Sequence, residues 1–171
     1  GTMVSASSSS KSSRDRRVGP CAVGPQPRQA SQLQDPVGAP GQATAVTVIA
    51  TVLNEGQAIE DLLASLRGQT RLPDEVIIVD GGSRDDTVAR LRRAEAEGSL
   101  KLRVLQAPGA NISLGRNIAI RAASSPLIAV TDAGVRLDQR WLEHITEPFA
   151  HADAPDVVSG FFVPDARSAF E

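Results

Sequence analysis

Five stretches rich in aliphatic and β-branched residues recur along this chain, with room for one helix between each and the next. They are AVTVIATVL, EVIIVD, KLRVLQA, PLIAVTDAG and DVVSGFFV. Between them the apolar residues change spacing. Ile59, Leu62, Leu63 and Leu66 recur at helical intervals, as do Val88 and Leu91, then Leu114 and Ile118, then Trp141, Leu142 and Ile145. Ser83 reads as the N-cap of the second helix, with Asp86 three positions on. Ser113 reads as the cap of a third helix running to about Ala123, and Arg140 to Thr146 as a short fourth. Gly68 and Gly98 stand where the first two helices should stop. This alternation, β-α-β-α-β-α-β-α-β, predicts an α/β fold: a mostly parallel sheet with helices on both faces, Rossmann-like, joined by right-handed crossovers. With four phenylalanines and one tryptophan in the chain, Val, Ile, Leu and Ala must do most of the packing.

Residues 1–42 have a different character. SASSSSKSSRDRR is Ser-rich and charged, and the residues after it are rich in Pro and Gly, so the segment buries too little to offset its ordering entropy and is expected to be a disordered tail. It carries five basic and two acidic groups, whereas residues 43–171 carry 13 basic and 18 acidic ones. A mildly acidic domain argues against a broad nucleic-acid surface but leaves room for a small nucleotide. The single cysteine, Cys21, excludes a disulfide framework within one chain and makes a reducing, cytoplasmic setting the expectation. No run of 18 apolar residues is present, so no membrane span is expected.

In a parallel sheet, ligands collect beyond the carboxyl ends of the strands. Asn54-Glu55, Asp80-Gly81-Gly82 and Thr131-Asp132-Ala133-Gly134 all fall there, with the loop Pro108 to Ser113 on the same rim. Asp80 has two readings: an acceptor for a base or ribose, or an acceptor for backbone N–H groups in its own turn. The glycines after it allow close backbone approach or positive φ. Asp132 closes a buried strand, where a carboxylate needs a metal, a hydroxyl or a backbone donor. With Asp138 it could approach Mg2+ or Mn2+, although Asp138 can equally cap the helix at Arg140. Arg116, in the first turn of its helix, is suited to a phosphate or to pairing with Glu55 or Asp132. His144 and His151 are not clustered with other ligands and read as surface groups. Neither a dinucleotide fingerprint nor a phosphate loop ending in Gly-Lys-Ser/Thr is present.

Four pieces in order, VTVIATVLNEGQAIEDLLASLRGQT, DEVIIVDGGSRDDT, GANISLGRNIAI and PLIAVTDAGVRLDQRWLEHI, resemble family 2 glycosyltransferases from about Ala43 to Phe162. The resemblance implies a glycosyltransferase A fold, a nucleoside-diphosphate sugar as donor and a hydroxyl acceptor. It implies that Thr51 to Glu55, including Asn54, lie near the nucleoside, that Asp80 and Gly81 border the base or ribose, that Arg116 and Asn117 shape the pocket, and that Asp132 matches the first acid of an Asp-x-Asp motif. Two departures stand out. Gly134 occupies the place of the second acid, so Mg2+ or Mn2+ binding is weakened unless Asp138 or the diphosphate compensates. The family's acceptor half, with its catalytic base, follows the fifth strand, so a chain ending at Glu171 is expected to be a fragment or a very short member. No motif marks Asp165 or Glu171 as that base. Donor binding without turnover and a protein-interaction role are the alternatives, and attachment to the inner face of a membrane would come through other parts.

Overall fold

The computed structural model describes residues 44–161, and the expected tail at 1–42 lies outside them. The described chain forms β1 (Val46–Val52), α1 (Gly56–Arg67), β2 (Glu75–Asp80), α2 (Thr87–Glu97), β3 (Leu102–Gln106), α3 (Ile112–Ala122), β4 (Leu127–Val130) and α4 (Trp141–Thr146), closed by a 3-10 turn at Glu147–Ala150. Four parallel strands lie in the order β3-β2-β1-β4. The order runs outward from β1 in both directions, so the chain reverses its progress at β1 and β4, the position where open α/β sheets leave a crevice.

β1 and β2 sit in the interior, which explains their near-continuous apolar sequence: every residue of β2 is buried, and β1 is buried at all positions but Thr51. Side chains alternate between two layers. Val46, Val48, Ala50, Val52, Val76 and Ile78 pack against Ile59, Leu62, Leu63 and Leu66 of α1, Leu91 of α2 and Leu142 of α4. Ile49, Ile77 and Val79 face the other way, onto Ala119 and Ile118 of α3. That second layer is one helix wide. α3 covers β1 and β2 and leaves Ile128 and Val130 of β4 exposed.

The helix starts differ from expectation. α2 begins at Thr87 with Asp86 in the cap position, and Ser83 serves the neighbouring loop instead. α3 is capped by Asn111, whose side chain accepts the Leu114 N–H at 2.9 Å, so the cap lies two residues before Ser113. The expected fifth strand does not form over Asp156–Phe161, which carry no regular structure; Phe162 and Val163 lie outside the described residues.

A polar staple fastens the opposite, amino-terminal end of the sheet. Glu75 is buried and accepts from Thr47 Oγ1 of β1, Arg103 Nη1 of β3, and the N–H and hydroxyl of Ser124 after α3. Burial alone would raise its pKa, but the Arg103 guanidinium and the other donors outweigh it and lower it to about 2. Folding therefore depresses this carboxyl. Its stabilisation is complete above the unfolded value of 4.5 and is lost as pH falls from there towards 2. Glu75→Gln should cost about 2 kcal/mol in urea denaturation at pH 7, and the gap from wild type should shrink steadily as the titration is repeated at lower pH.

Candidate functional site at the carboxyl rim

The rim is built from two loops that hold each other. Asn54, at φ 56°, ends β1 and gives its N–H to Ser83 Oγ while its Oδ1 accepts from Arg84 N–H. Glu55 N–H reaches Thr87 Oγ1, and Gly56 N–H reaches Asp85 Oδ2. The β1–α1 loop thus has four cross-links to the β2–α2 loop. Thr87 is wholly buried. Its hydroxyl, followed by the N–H groups of Thr87 and Gly56, holds the Asp85 carboxyl below its ordinary range against the opposing effect of burial. Ser83, Arg84, Asp85 and Thr87 were not among the expected site residues. The signal was present in SRDDT directly after the strand, but hydroxyl and carboxylate side chains at a helix start read first as local caps.

Asp80 is aligned with Val52 across the β1–β2 ladder and is 1% exposed. Both its oxygens accept backbone N–H groups, from Gly82 at 3.0 Å and from Ser83 at 3.1 and 3.2 Å. Of its two readings, the turn acceptor is the one seen. The glycines behind it serve different ends. Gly82 has φ 106°, in the left-handed region. At Gly81 a Cβ would lie 2.9 Å from the Ala110 carbonyl oxygen, so a side chain there would push away the β3–α3 loop, which is tied back by Gly109 N–H on the Gly81 carbonyl.

On the α3 side of the rim, Arg116 Nη2 donates to Asp132 Oδ1 at 2.8 Å, choosing Asp132 over Glu55. The approach is close because Gly115 has no side chain: a Cβ there would meet Thr51 Cγ2 at 2.4 Å. Two buried polar atoms on these two elements, Thr51 Oγ1 of β1 and Arg116 Nε of α3, have no hydrogen-bond partner. Glu55 is partly exposed at the start of α1, and no hydrogen bond engages its carboxylate among the described residues. Asn117 is exposed on α3 and forms no bond to the other expected residues among those described. Asp80 and Asp132 therefore close strands on either side of β1, about 10 Å apart by strand spacing, without meeting: one turns into its own loop, the other pairs with α3.

Gly134 is exposed, with nothing within 4 Å of a built Cβ. Asp138 takes the capping alternative. Its Oδ1 accepts Arg140 N–H at 2.9 Å, and its carbonyl accepts Trp141 N–H and the amide of the buried Gln69. Gln69 also accepts Leu142 N–H, so one side chain after α1 fixes the start of α4. A cavity of about 690 Å³ lies elsewhere, along the edge of β4 between Leu127–Thr131, Trp141, Ile145 and Val157–Phe161; it touches the rim at Thr131 and Asp138.

The profile of the family described as Glycosyl transferase family 2 matches residues 47–169, which takes in the whole rim. The chain belongs to this family. Among similar sequences, validoxylamine A glucosyltransferase of Streptomyces hygroscopicus subsp. limoneus is 27% identical over 143 residues, covering 82% of this chain and 32% of that protein. Its counterpart from subsp. jinggangensis is 29% identical over 125 residues, 72% and 30% respectively. The chain thus spans about a third of the length of the curated relatives it matches. Among solved structures, S. aureus TarS 1-349 in complex with UDP-GlcNAc superposes with a TM-score of 0.53 at 26% identity, over 58% of this chain and 29% of that one. The mannosyltransferase PcManGT from Pyrobaculum calidifontis, in complex with GDP-Man and Mn2+, gives 0.51 at 29% identity, over 61% and 32%. The four parallel strands and their helices are the glycosyltransferase A architecture. No described helix is long and apolar enough to cross a membrane.

A divalent cation such as the Mn2+ of the PcManGT complex finds a poor donor set among the described residues of this glycosyltransferase-family chain. Asp132 gives one carboxylate oxygen to a guanidinium, Gly134 offers no side chain, Asp138 is engaged in a helix cap, and among the described residues no group of three or more His, Cys, Asp or Glu side chains is disposed around a common point. Because Asp80 satisfies buried backbone donors, Asp80→Ala is expected to destabilise the domain by about 2 kcal/mol in chemical denaturation, and a stability equal to wild type would refute this supporting role.

Proposed function

We propose that the rim binds the nucleoside diphosphate of a sugar donor, and that the protein to which this rim belongs transfers the sugar to an acceptor hydroxyl. The observation that carries this reading is the Thr51–Arg116–Asp132 group. It consists of a cation paired with a carboxylate that keeps an oxygen to spare, on a helix whose Gly115 packs on Thr51, at the switch point of a parallel sheet. Family membership supports it, as do relatives that are glucosyltransferases by name and similar structures solved with UDP-GlcNAc and GDP-Man.

In this reading Glu55 and Asp132 accept hydrogen bonds from the base and ribose, and Thr51 turns its hydroxyl to the ligand. Asn54 and Asp80 act through the backbone they hold, keeping the Gly81–Ser83 turn open to the nucleoside. Gly134 and Asn117 border the sugar-diphosphate side. Arg116 lies where charge grows on the departing diphosphate, and a preorganised guanidinium stabilises that charge. The acceptor oxygen attacks the anomeric carbon as the carbon–oxygen bond to the diphosphate breaks, and a general base takes the hydroxyl proton. No described residue is assigned as that base. Coverage of a third of the relatives' length favours a second reading, donor binding without turnover by these 171 residues, and a sugar-transfer assay on this chain separates the two.

Titration with UDP, GDP and dTDP followed by residue-resolved NMR should move the amides of Thr51, Glu55, Gly81, Arg116 and Asp132 for at least one nucleotide. Asp132→Ala should weaken that nucleotide about tenfold with little change in thermal stability, since its carboxylate is more than half exposed. Wild-type affinity in both Asp132→Ala and Thr51→Val would sink the site.

A further inference from the structure

We propose that this rim binds the donor diphosphate without a divalent cation, the Arg116 guanidinium supplying the positive charge in its place. The inference rests on the donor-site reading above and concerns how the same site neutralises its ligand. A hard cation needs oxygen ligands that are free to turn towards it. Asp132 is the acid best placed to offer one, yet its Oδ1 is 2.8 Å from Arg116 Nη2. A cation at that carboxylate would be pressed against a fixed positive charge. The next side chain that could help is absent at Gly134. Asp138 is pinned three ways, through Arg140 N–H on its carboxylate and Trp141 N–H and Gln69 Nε2 on its carbonyl.

Arg116, in contrast, has donors in reserve. A guanidinium carries five N–H groups in a planar fork that matches phosphate oxygens. One is given to Asp132 and the buried Nε–H makes no bond, which leaves the remaining N–H groups of the terminal nitrogens to meet a phosphate. Gly115 lets the first turn of α3 pack closely on Thr51 of β1, and Arg116 is the next residue of that turn. The missing acid is not a consequence of crowding, because a Cβ at Gly134 meets nothing within 4 Å and its backbone is not left-handed. An aspartate would fit there, which makes the inference reversible by one substitution.

The test uses the 171-residue chain in calorimetric titrations with UDP, GDP and dTDP, in Mn2+ or in EDTA, with Mn2+ binding alone followed by electron paramagnetic resonance. The nucleotide that binds should do so with affinities within about twofold in the two buffers, and wild type should leave Mn2+ free. Arg116→Ala should lose about tenfold in both, whereas Gly134→Asp should gain about tenfold in Mn2+ alone. Loss of wild-type binding on adding EDTA, or retention of full affinity by Arg116→Ala in EDTA, would overturn the inference while leaving the donor site standing. If no nucleotide binds in either buffer, the donor-site reading falls and takes the inference with it. Should Gly134→Asp unfold, the wild-type comparison still decides.

Discussion

The pairing of β1 with β2 on one side and β4 on the other is the constraint from which the rest follows. β1 is the strand against which both neighbours are registered, Val52 with Asp80 and Ile49 with Val130. That double registration fixes the height at which each loop leaves the sheet. It brings the ends of β1 and β2 to one level, and only for that reason can residues 29 to 32 positions apart in sequence form the Asn54–Ser83, Glu55–Thr87 and Gly56–Asp85 bonds. Its stability comes from the two buried layers, since a strand buried on both faces contributes apolar area twice.

The two ends of this sheet treat their carboxylates differently. At the amino-terminal end Glu75 is satisfied by four donors from three elements and has nothing left to offer a ligand. At the carboxyl end Asp80 is satisfied in the same manner, by its own loop, whereas Asp132 and Glu55 keep accepting capacity. A buried, saturated carboxylate stabilises structure; a half-exposed one with an oxygen to spare contributes little to folding and can be given to a ligand. By that criterion the proposed donor site belongs on the α3 side of the rim, with the β2 side as its support.

The sheet was legible in the sequence because burial on both faces writes itself as uninterrupted aliphatic runs. The four strands, the four helices and their parallel arrangement could all be read from VTVIATV, EVIIVD and their successors. The run at Asp156–Phe161 shares that composition and forms no strand, because composition reports suitability for a sheet and not the presence of a partner edge. Caps were less legible. Ser83 and Ser113 carry the side chains a cap requires, but Asn111 wins for α3, and Ser83 is drawn into the cross-link with Asn54. Asp80 shows the same limit: its place after a strand and before two glycines fits a ligand acceptor and a turn acceptor equally, and only the backbone geometry separates them. The Arg116–Asp132 contact was readable as a choice between two acids; the role of Gly115 in making it was not, because a small residue in a helix announces nothing about what packs on it.

An ion pair as exposed as Arg116–Asp132 contributes about 0–1 kcal/mol to stability, too little to account for the packing that surrounds it. Gly115 in the interior of α3 costs helix stability of about 1 kcal/mol relative to alanine, and leaving Arg116 Nε buried without a partner costs about 1–3 kcal/mol more. These costs exceed what the pair returns. An arrangement that is unfavourable by its own contacts is compensated elsewhere in the fold, and here the compensation comes from the cores beneath β1 and β2. A ligand whose oxygens reach this guanidinium would offset part of that cost on binding, so under the proposed function the cost of holding the rim in shape becomes part of the affinity for the donor.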